Sequence, residues 1–393
     1  MRVLLINDSA RPHTGGGNRV VVETCRWLER CGHQPALAYH DGVGADVDCP
    51  AFHLPDQRMI PRTEMLARLR RILDEFRPDL VQLHTTQIMD AYPLLARSVP
   101  TTVFIHDQSW FCADGDRKLR GFTPCHRRHT PACLAYNYLL GCGGRSPITN
   151  WKLWRLVQER EILHELPAIR IQVASGFMRQ GLLENRFPED RIDVVPLYSE
   201  PPPSEEVTEN GLILCPSRLV LSKGVHLLLD ALARIRETPW KLIVAGAGPR
   251  RADLERQAGE LAIADRVTFT GEVSPAQMAG YYGRAQLVAF PVLRQEPFGL
   301  VGVEALAYGK PIVAFAGGAV DEWLWPDVTG IKVQERTATA FGQALEQLLK
   351  DPERCRQMSK AAERHYPQFK PLAYIERLMA SFQRTIDGAK PIP

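Results

Sequence analysis

The chain has 393 residues, 45% of them hydrophobic and 24% charged, with 48 basic against 45 acidic side chains and a net charge of +3. That length suffices for two ordinary domains, each with its own core. The balance excludes a disordered chain, a collagen, a small disulfide scaffold and a protein dedicated to binding nucleic acid.

Apolar runs such as Val3-Leu4-Leu5-Ile6 and Leu242-Ile243-Val244-Ala245 fall far short of the roughly 18 residues of a membrane span. The start of the chain reads as a strand, not a signal peptide. The expected compartment is the cytosol, where the nine cysteines stay mostly reduced.

In chain order, Val3 to Ile6 is the first buried-strand candidate, followed by the loop Gly15-Gly16-Gly17. Val20 to Arg30 has helical spacing, with Val21, Cys25 and Leu28 on one side and Gly32 as its stop. Pro35 to Tyr39 is a second strand. Glu64 to Phe76 is an amphipathic helix. Leu80 to Leu83, Thr101 to Ile105, Ile169 to Val173 and Ile192 to Val195 are further strands. This alternation predicts right-handed βαβ units and a parallel sheet.

Residues 200–206, Glu-Pro-Pro-Pro-Ser-Glu-Glu, break the pattern and read as a linker. The alternation then restarts: strands at Gly211 to Cys215, Trp240 to Ala245, Val267 to Phe269, Leu287 to Phe290 and Pro311 to Phe315, with a helix over Val225 to Ile235. A last helix runs from about Leu372 to Asp387. The expectation is an α/β protein with one domain over 1–200, a second over 207–371, and a C-terminal helix and tail over 372–393 that can pack back on the first. Ligands of such sheets bind at the carboxyl ends of strands and at helix N-termini.

Four places carry candidate chemistry. Gly15-Gly16-Gly17 lets backbone N–H groups approach a phosphate or sugar; a plain flexible loop is the alternative. Arg218 and Lys223 follow a strand, precede a helix and can hold a diphosphate; a solvated loop is the alternative. Gly246 and Gly248, again after a strand, fit either a ligand-facing turn or a purely structural one. The run Glu296-Pro297-Phe298-Gly299-Leu300-Val301-Gly302-Val303-Glu304 is the most specific. Pro297 suits the first turn of a helix, placing Glu304 about two turns in. The two carboxylates can grip separate hydroxyl groups, and the N–H groups of Phe298, Gly299 and Leu300 can bind between them.

That run resembles the Glu-x7-Glu signature of the retaining glycosyltransferases of family 4, whose fold is GT-B: two facing Rossmann-like domains with the active site in the cleft between them. Arg218 with Lys223-Gly224, Gly246-Ala247-Gly248-Pro249, Ala307-Tyr308-Gly309-Lys310-Pro311 and Gly317-Gly318 agree with it. The resemblance covers nearly the whole chain and is strongest from 211 to 335. It implies sugar transfer from a nucleotide-diphosphate-sugar, UDP or GDP, to a carbohydrate or lipid-linked acceptor in surface polysaccharide or glycolipid synthesis. It implies that Arg218 and Lys223 bind the diphosphate, that Glu296 bonds donor-sugar hydroxyls and that Glu304 binds the ribose. Phe298, Gly299 and Leu300 would give backbone contacts, Gly16 and Gly17 would close over the donor, and His106 would be the active-site histidine near the transferred sugar. No catalytic cofactor is implied, and no Asp-x-Asp metal motif follows a strand. A phosphorylase of the same fold and a non-catalytic sugar-binding module are the competing readings.

The insert from about 108 to 150 departs from a generic family member. Cys112, Cys125, Cys133 and Cys142 form a candidate structural zinc site, with packed thiols as the alternative. Residues 110–160 hold nine Lys or Arg against three Asp or Glu, with Trp110, Trp151 and Trp154 beside them. Such a stretch can meet anionic lipid or a diphosphate-lipid acceptor. That contact would put the protein at the inner face of the membrane as a peripheral partner of it; a charged surface with core tryptophans is the alternative.

Overall fold

The computed structural model describes residues 1–11, 16–41, 47–56, 59–84, 88–112, 115–142, 161–205 and 207–388. The chain divides into two units. The first is Met1–Arg117 with His126–Leu197 and Pro371–Pro393, and the second is Lys118–Cys125 with Tyr198–Lys370.

In the first unit the strands are β1 (Arg2–Ser9), β2 (Gln34–Asp41), β3 (Ala51–His53), β4 (Leu80–Leu83), β5 (Thr101–Ile105), β6 (Ile169–Val173) and β7 (Ile192–Val194). They form one sheet in the order β3-β2-β1-β4-β5-β6-β7, with every pairing parallel. Its helices are α1 (Gly16–Arg30), α2 (Arg62–Phe76), α3 (Tyr92–Ser98), α4 (Cys133–Leu139) and α5 (Gly176–Glu184). The inner strands are buried throughout, as Val3 to Ile6 and Val103 to Ile105 show. That is why they read as continuous apolar runs instead of alternating patterns. Gly32 ends α1 at a φ of 81°, and the His33 N–H closes back on the Leu28 carbonyl at 2.9 Å. Ser175 caps α5 by accepting the Met178 N–H at 3.1 Å.

The second unit repeats the scheme with β8 (Leu212–Pro216), α6 (Val225–Arg234), β9 (Lys241–Ala245), α7 (Arg251–Glu260), β10 (Val267–Gly271), α8 (Pro275–Arg284), β11 (Leu287–Phe290), α9 (Leu300–Ala307), β12 (Ile312–Phe315), β13 (Gly330–Val333), α10 (Ala338–Lys350) and α11 (Pro352–His365). Its parallel sheet has the order β10-β9-β8-β11-β12-β13. In both sheets the first strand of the unit has its successor on one side and a later strand on the other. Strand order therefore reverses between β1 and β4, and again between β8 and β11. Doubly wound sheets hold ligands at such switch points.

Two boundaries and two edge strands differ from the sequence reading. The first unit ends at Leu197, ahead of the proline run, which the second unit retains; Tyr308 donates its hydroxyl to the Pro202 carbonyl at 2.6 Å. The short edge strands β3 and β13 lack a long apolar run and were not expected. Segment Lys118–Cys125, expected as part of a first-domain insert, groups with the second unit. There Phe122 packs against the core and its carbonyl accepts from Arg336 at 2.9 Å.

The last helix, α12 (Pro371–Gly388), belongs to the first unit. A buried polar chain fastens it there. Gln82 of β4 donates to Gln172 of β6 at 2.7 Å, and Gln172 donates to Ser381 of α12 at 2.8 Å. Ser381 in turn donates to Asp193 of β7 at 2.7 Å, whose carboxylate also holds Arg170 and Arg384 at 3.0 Å. Burial pushes the Asp193 carboxyl up, but these donors outweigh it and leave it below the usual range. A carboxylate lowered in the folded state stabilises above its unfolded value and loses that contribution as the pH falls through the folded one. Asp193→Ala should therefore lower stability in urea by about 3 kcal/mol at neutral pH. The gap to wild type should shrink below about pH 4.

Lys310 is the opposite case. It is buried, with its ammonium donating to the Gly283 carbonyl and the Thr208 hydroxyl at 2.8 Å each. Burial pushes it down to about 8. The folded chain thus loses this proton at lower pH than the unfolded chain, so stability rises between about pH 8 and 10.5. Below pH 8 the cost is fully present, at about 3 kcal/mol. The stability of Lys310→Met relative to wild type should fall by that order between pH 8 and 10.5, measured by urea unfolding of both proteins.

Candidate active site

In the second unit the loops after β8 and β11 carry the charged residues. The β8 loop holds Arg218, which is exposed, and a short turn, Leu221–Lys223. Gly224 closes that turn at a φ of 70°. A Cβ there would stand 1.9 Å from the Pro291 carbonyl oxygen, so only glycine lets this turn seat against the end of β11. The Leu293 N–H reaches the Ser222 carbonyl at 2.9 Å and completes the seam.

This seam brings Lys223 to Glu296. The ammonium is 3.0 Å from Glu296 Oε2, and Arg294 Nε approaches the same oxygen at 3.3 Å. Glu296 is only 8% exposed. Burial alone would raise its pKa, yet Lys223 and Arg294 together hold the carboxyl below its ordinary value. Glu296 is therefore ionised at neutral pH, inside a cluster that carries more positive than negative charge.

Gly246 and Gly248 prove to be seats for the neighbouring loop. Added Cβ atoms would meet the Ser217 carbonyl oxygen at 2.2 Å and the Leu219 backbone at 2.5 Å. The Leu219 N–H bonds the Ala247 carbonyl at 2.9 Å. The two glycines thus position the Arg218 loop through the backbone.

Helix α9 starts at Leu300, with Gly299 as its cap at a φ of 94°. Pro297 lies ahead of the helix, so Glu304 sits little more than one turn in, not two. The Gly302 N–H of its first turn bonds the Gly299 carbonyl at 2.9 Å, and the N–H groups ahead of it have no acceptor inside the helix. Tyr282 of α8 donates its hydroxyl to Glu304 Oε2 at 3.0 Å. Its ring stacks on Tyr308, with centroids 4.8 Å apart.

Sequence reasoning missed Arg294, Tyr282, Gln295 and Trp323. Gln295 accepts the Gly318 N–H at 2.8 Å. Trp323 is fully buried and donates its ring N–H to the Phe298 carbonyl at 2.6 Å. Gly302 makes room for it: a Cβ there would lie 2.2 Å from the indole. The readable signal was Gly302 itself, a glycine without a turn to make in an apolar helix.

In the first unit, His106 directly follows β5 and His84 directly follows β4. His84 Nδ1 lies 2.8 Å from His106 Nε2, and the rings stack with centroids 5.1 Å apart. Burial pushes His106 down to about 4, against the pull of Asp107. It pushes His84 down too, so both rings are neutral at physiological pH. Gly16 opens α1, and a Cβ on Gly17 would stand 3.8 Å from His106 Nδ1. Asn7, in β1, donates to Asn18 Oδ1 at 2.9 Å and ties β1 to the start of α1. Gly17, His84 and His106 thus meet at the switch point between β1 and β4. The sequence pointed to His106 and not to His84, although both stand at the same place on adjacent strands.

Among the described residues, which include Cys112, Cys125, Cys133 and Cys142, no three His, Cys, Asp or Glu side chains are placed to hold one ion. Cys125 belongs to a segment of the second unit, whereas Cys112, Cys133 and Cys142 belong to the first. Gly15, Trp151 and Trp154 lie outside the described residues.

Comparison with known proteins shows the family and the fold. A model described as glycosyltransferase family 4 matches residues 14–197, and one described as glycosyl transferases group 1 matches residues 199–365. A D-inositol 3-phosphate glycosyltransferase of Segniliparus rotundus is 32% identical over 61% of this chain and 57% of its own. A GDP-mannose-dependent alpha-(1-6)-phosphatidylinositol monomannoside mannosyltransferase of Mycolicibacterium smegmatis is 28% identical over 72% of this chain and 78% of its own. The matched stretch thus spans little more than half of the first of these relatives. A glycosyltransferase structure from Rickettsia africae superposes with a TM-score of 0.74 at 16% identity, covering 98% of each chain, and shares the GT-B fold. Matched in both units by these two models, the chain belongs to the group 1 and family 4 glycosyltransferases.

Proposed function

We propose that the protein transfers a sugar from a nucleotide-diphosphate-sugar to a carbohydrate or lipid-linked acceptor, with retention at the anomeric carbon. The observation that carries this reading is the Lys223–Glu296–Arg294 cluster beside the Arg218 loop, at the switch point of the second sheet. A diphosphate brings more negative charge than one carboxylate and draws Lys223 and Arg218 to itself. Glu296 then has lone pairs for the hydroxyls of the donor sugar. As the anomeric carbon–oxygen bond breaks, negative charge grows on the departing phosphate, and Lys223 and Arg218 stabilise it. The acceptor hydroxyl bonds to the same face of the carbon and its proton passes to the departing phosphate oxygen. Glu304, held by Tyr282, serves the ribose. His106 is neutral and acts as a hydrogen-bonding group, not as an acid.

A lipid-linked acceptor fits the basic insert. Leu139 is 78% and Tyr138 44% exposed, and Arg127 is exposed close by in the chain. Such a surface suits peripheral contact with anionic lipid at the cytoplasmic face. No helix among the described residues is long and apolar enough to cross a membrane.

Thermal unfolding against UDP, GDP, ADP and free sugars tests the reading. The right nucleoside diphosphate at 100 times its Kd should add roughly 2.7 kcal/mol; a response to free sugars alone would favour a sugar-binding module. Glu296→Ala should lower turnover at least tenfold, on the order of 1.4 kcal/mol or more, with the fold intact by circular dichroism. Lys223→Ala should weaken nucleoside-diphosphate binding by titration calorimetry, and unchanged affinity would remove it from the phosphate site.

A further inference from the structure

We infer that His84 is a positioning residue that holds His106 in the Nδ1–H tautomer and so makes its Nδ1–H a fixed hydrogen-bond donor toward a hydroxyl of the transferred sugar. The sugar's place in this statement rests on the proposed function; the tautomer does not.

Two neutral imidazoles share one hydrogen across the 2.8 Å contact between His84 Nδ1 and His106 Nε2. There are two ways to place it. If His106 donates from Nε2, the proton of His84 lies on its own Nε2. That atom is buried and has no hydrogen-bond partner among the described residues. The arrangement leaves an N–H stranded away from water, which native structures almost never tolerate. If His84 donates from Nδ1 instead, its Nε2 keeps only a bare lone pair, the milder deficit. The proton of His106 must then sit on Nδ1. No partner for His106 Nδ1 exists among the described residues, yet it is not one of the closed-off orphaned atoms. It is the ring nitrogen that stands nearest the place of a Cβ on Gly17, at 3.8 Å. At glycine no side chain from position 17 covers this nitrogen.

The stack keeps the ring in place. Phe104 lies 4.7 Å from His106 and 5.7 Å from His84 between centroids. The ordered register of β4 and β5, Leu83 opposite Val103, carries both histidines at their strand ends. Burial keeps both rings neutral over the working pH range, so the hydrogen arrangement is not disturbed near neutrality. His84 touches no reacting atom in this scheme. It acts through His106.

Protein labelled with 15N-histidine decides the matter by long-range 1H–15N correlation, with the His106 signals assigned by their loss in His106→Gln. Wild type should show His106 as the Nδ1–H tautomer, and an Nε2–H tautomer there would overturn the inference without any variant. His84→Leu should release His106 to the other tautomer and lower turnover about tenfold or more, with donor KM changed less than kcat. His84→Asn, whose amide can donate from nearly the same place, should restore the tautomer and most of the turnover. An unchanged His106 tautomer in His84→Leu would refute the role of His84. Wild type that shows the expected tautomer but no sugar transfer would refute the proposed function and leave the tautomer assignment standing.

Discussion

Burying the carboxylate of Glu296 sets the terms for the rest of the second unit. An unpaired buried charge is costly, and breaking a buried pair commonly removes 3–5 kcal/mol. The fold therefore has to deliver Lys223 to it. That requires the β8 turn to lie on the end of β11, which in turn requires Gly224 to lack a Cβ. The loop carrying Glu296 needs its own restraints, and Gln295 bonded to Gly318 and Trp323 bonded to the Phe298 carbonyl provide them. Pairing, turn and backing residues are one structural unit. A charge held this way has its partners in place before any ligand arrives.

The first unit follows the same logic with neutral groups. Its switch point gathers Gly17, His84 and His106, where a single hydrogen between two rings decides which atom offers a donor. On the same sheet, the polar chain from Gln82 to Asp193 fastens α12. Polar groups inside a sheet must be fully paired or they cost stability. The chain Gln–Gln–Ser–Asp meets most of that demand with residues from three strands and one helix, and leaves Gln82 Oε1 without a partner among the described residues. In both units, polar residues in buried places are tied to a positional task.

Much of this was readable without a structure. The run Leu287 to Phe290 is bounded as a strand in the sequence reading and in the fold alike, because strands buried on both faces are written as unbroken apolar runs. Arg218 and Lys223 stood out because they follow a strand and precede a helix, and Glu296 and Glu304 because their spacing in one run puts a carboxylate in the loop and another in the helix. The edge strands β3 and β13 escaped because they are short and half exposed. The start of α9 was set two turns ahead of Glu304 because Pro297 suits a first turn, whereas the backbone at Gly299 turns left-handed and delays the helix.

The sequence by itself determined the two parallel α/β units, the order of their elements and the residue types at the strand ends, since all of these follow from local apolar periodicity and turn chemistry. Only the tertiary structure decided which of those residues touch. Lys223 and Glu296 are 73 positions apart, Gln82 and Gln172 90, and Ser381 and Asp193 188. Such pairings depend on strand order, and strand order is settled by how whole helices and sheets bury one another. The four cysteines show the same limit from the other side. Their closeness in sequence suggested a shared ion, and among the described residues no three His, Cys, Asp or Glu side chains are placed to hold one.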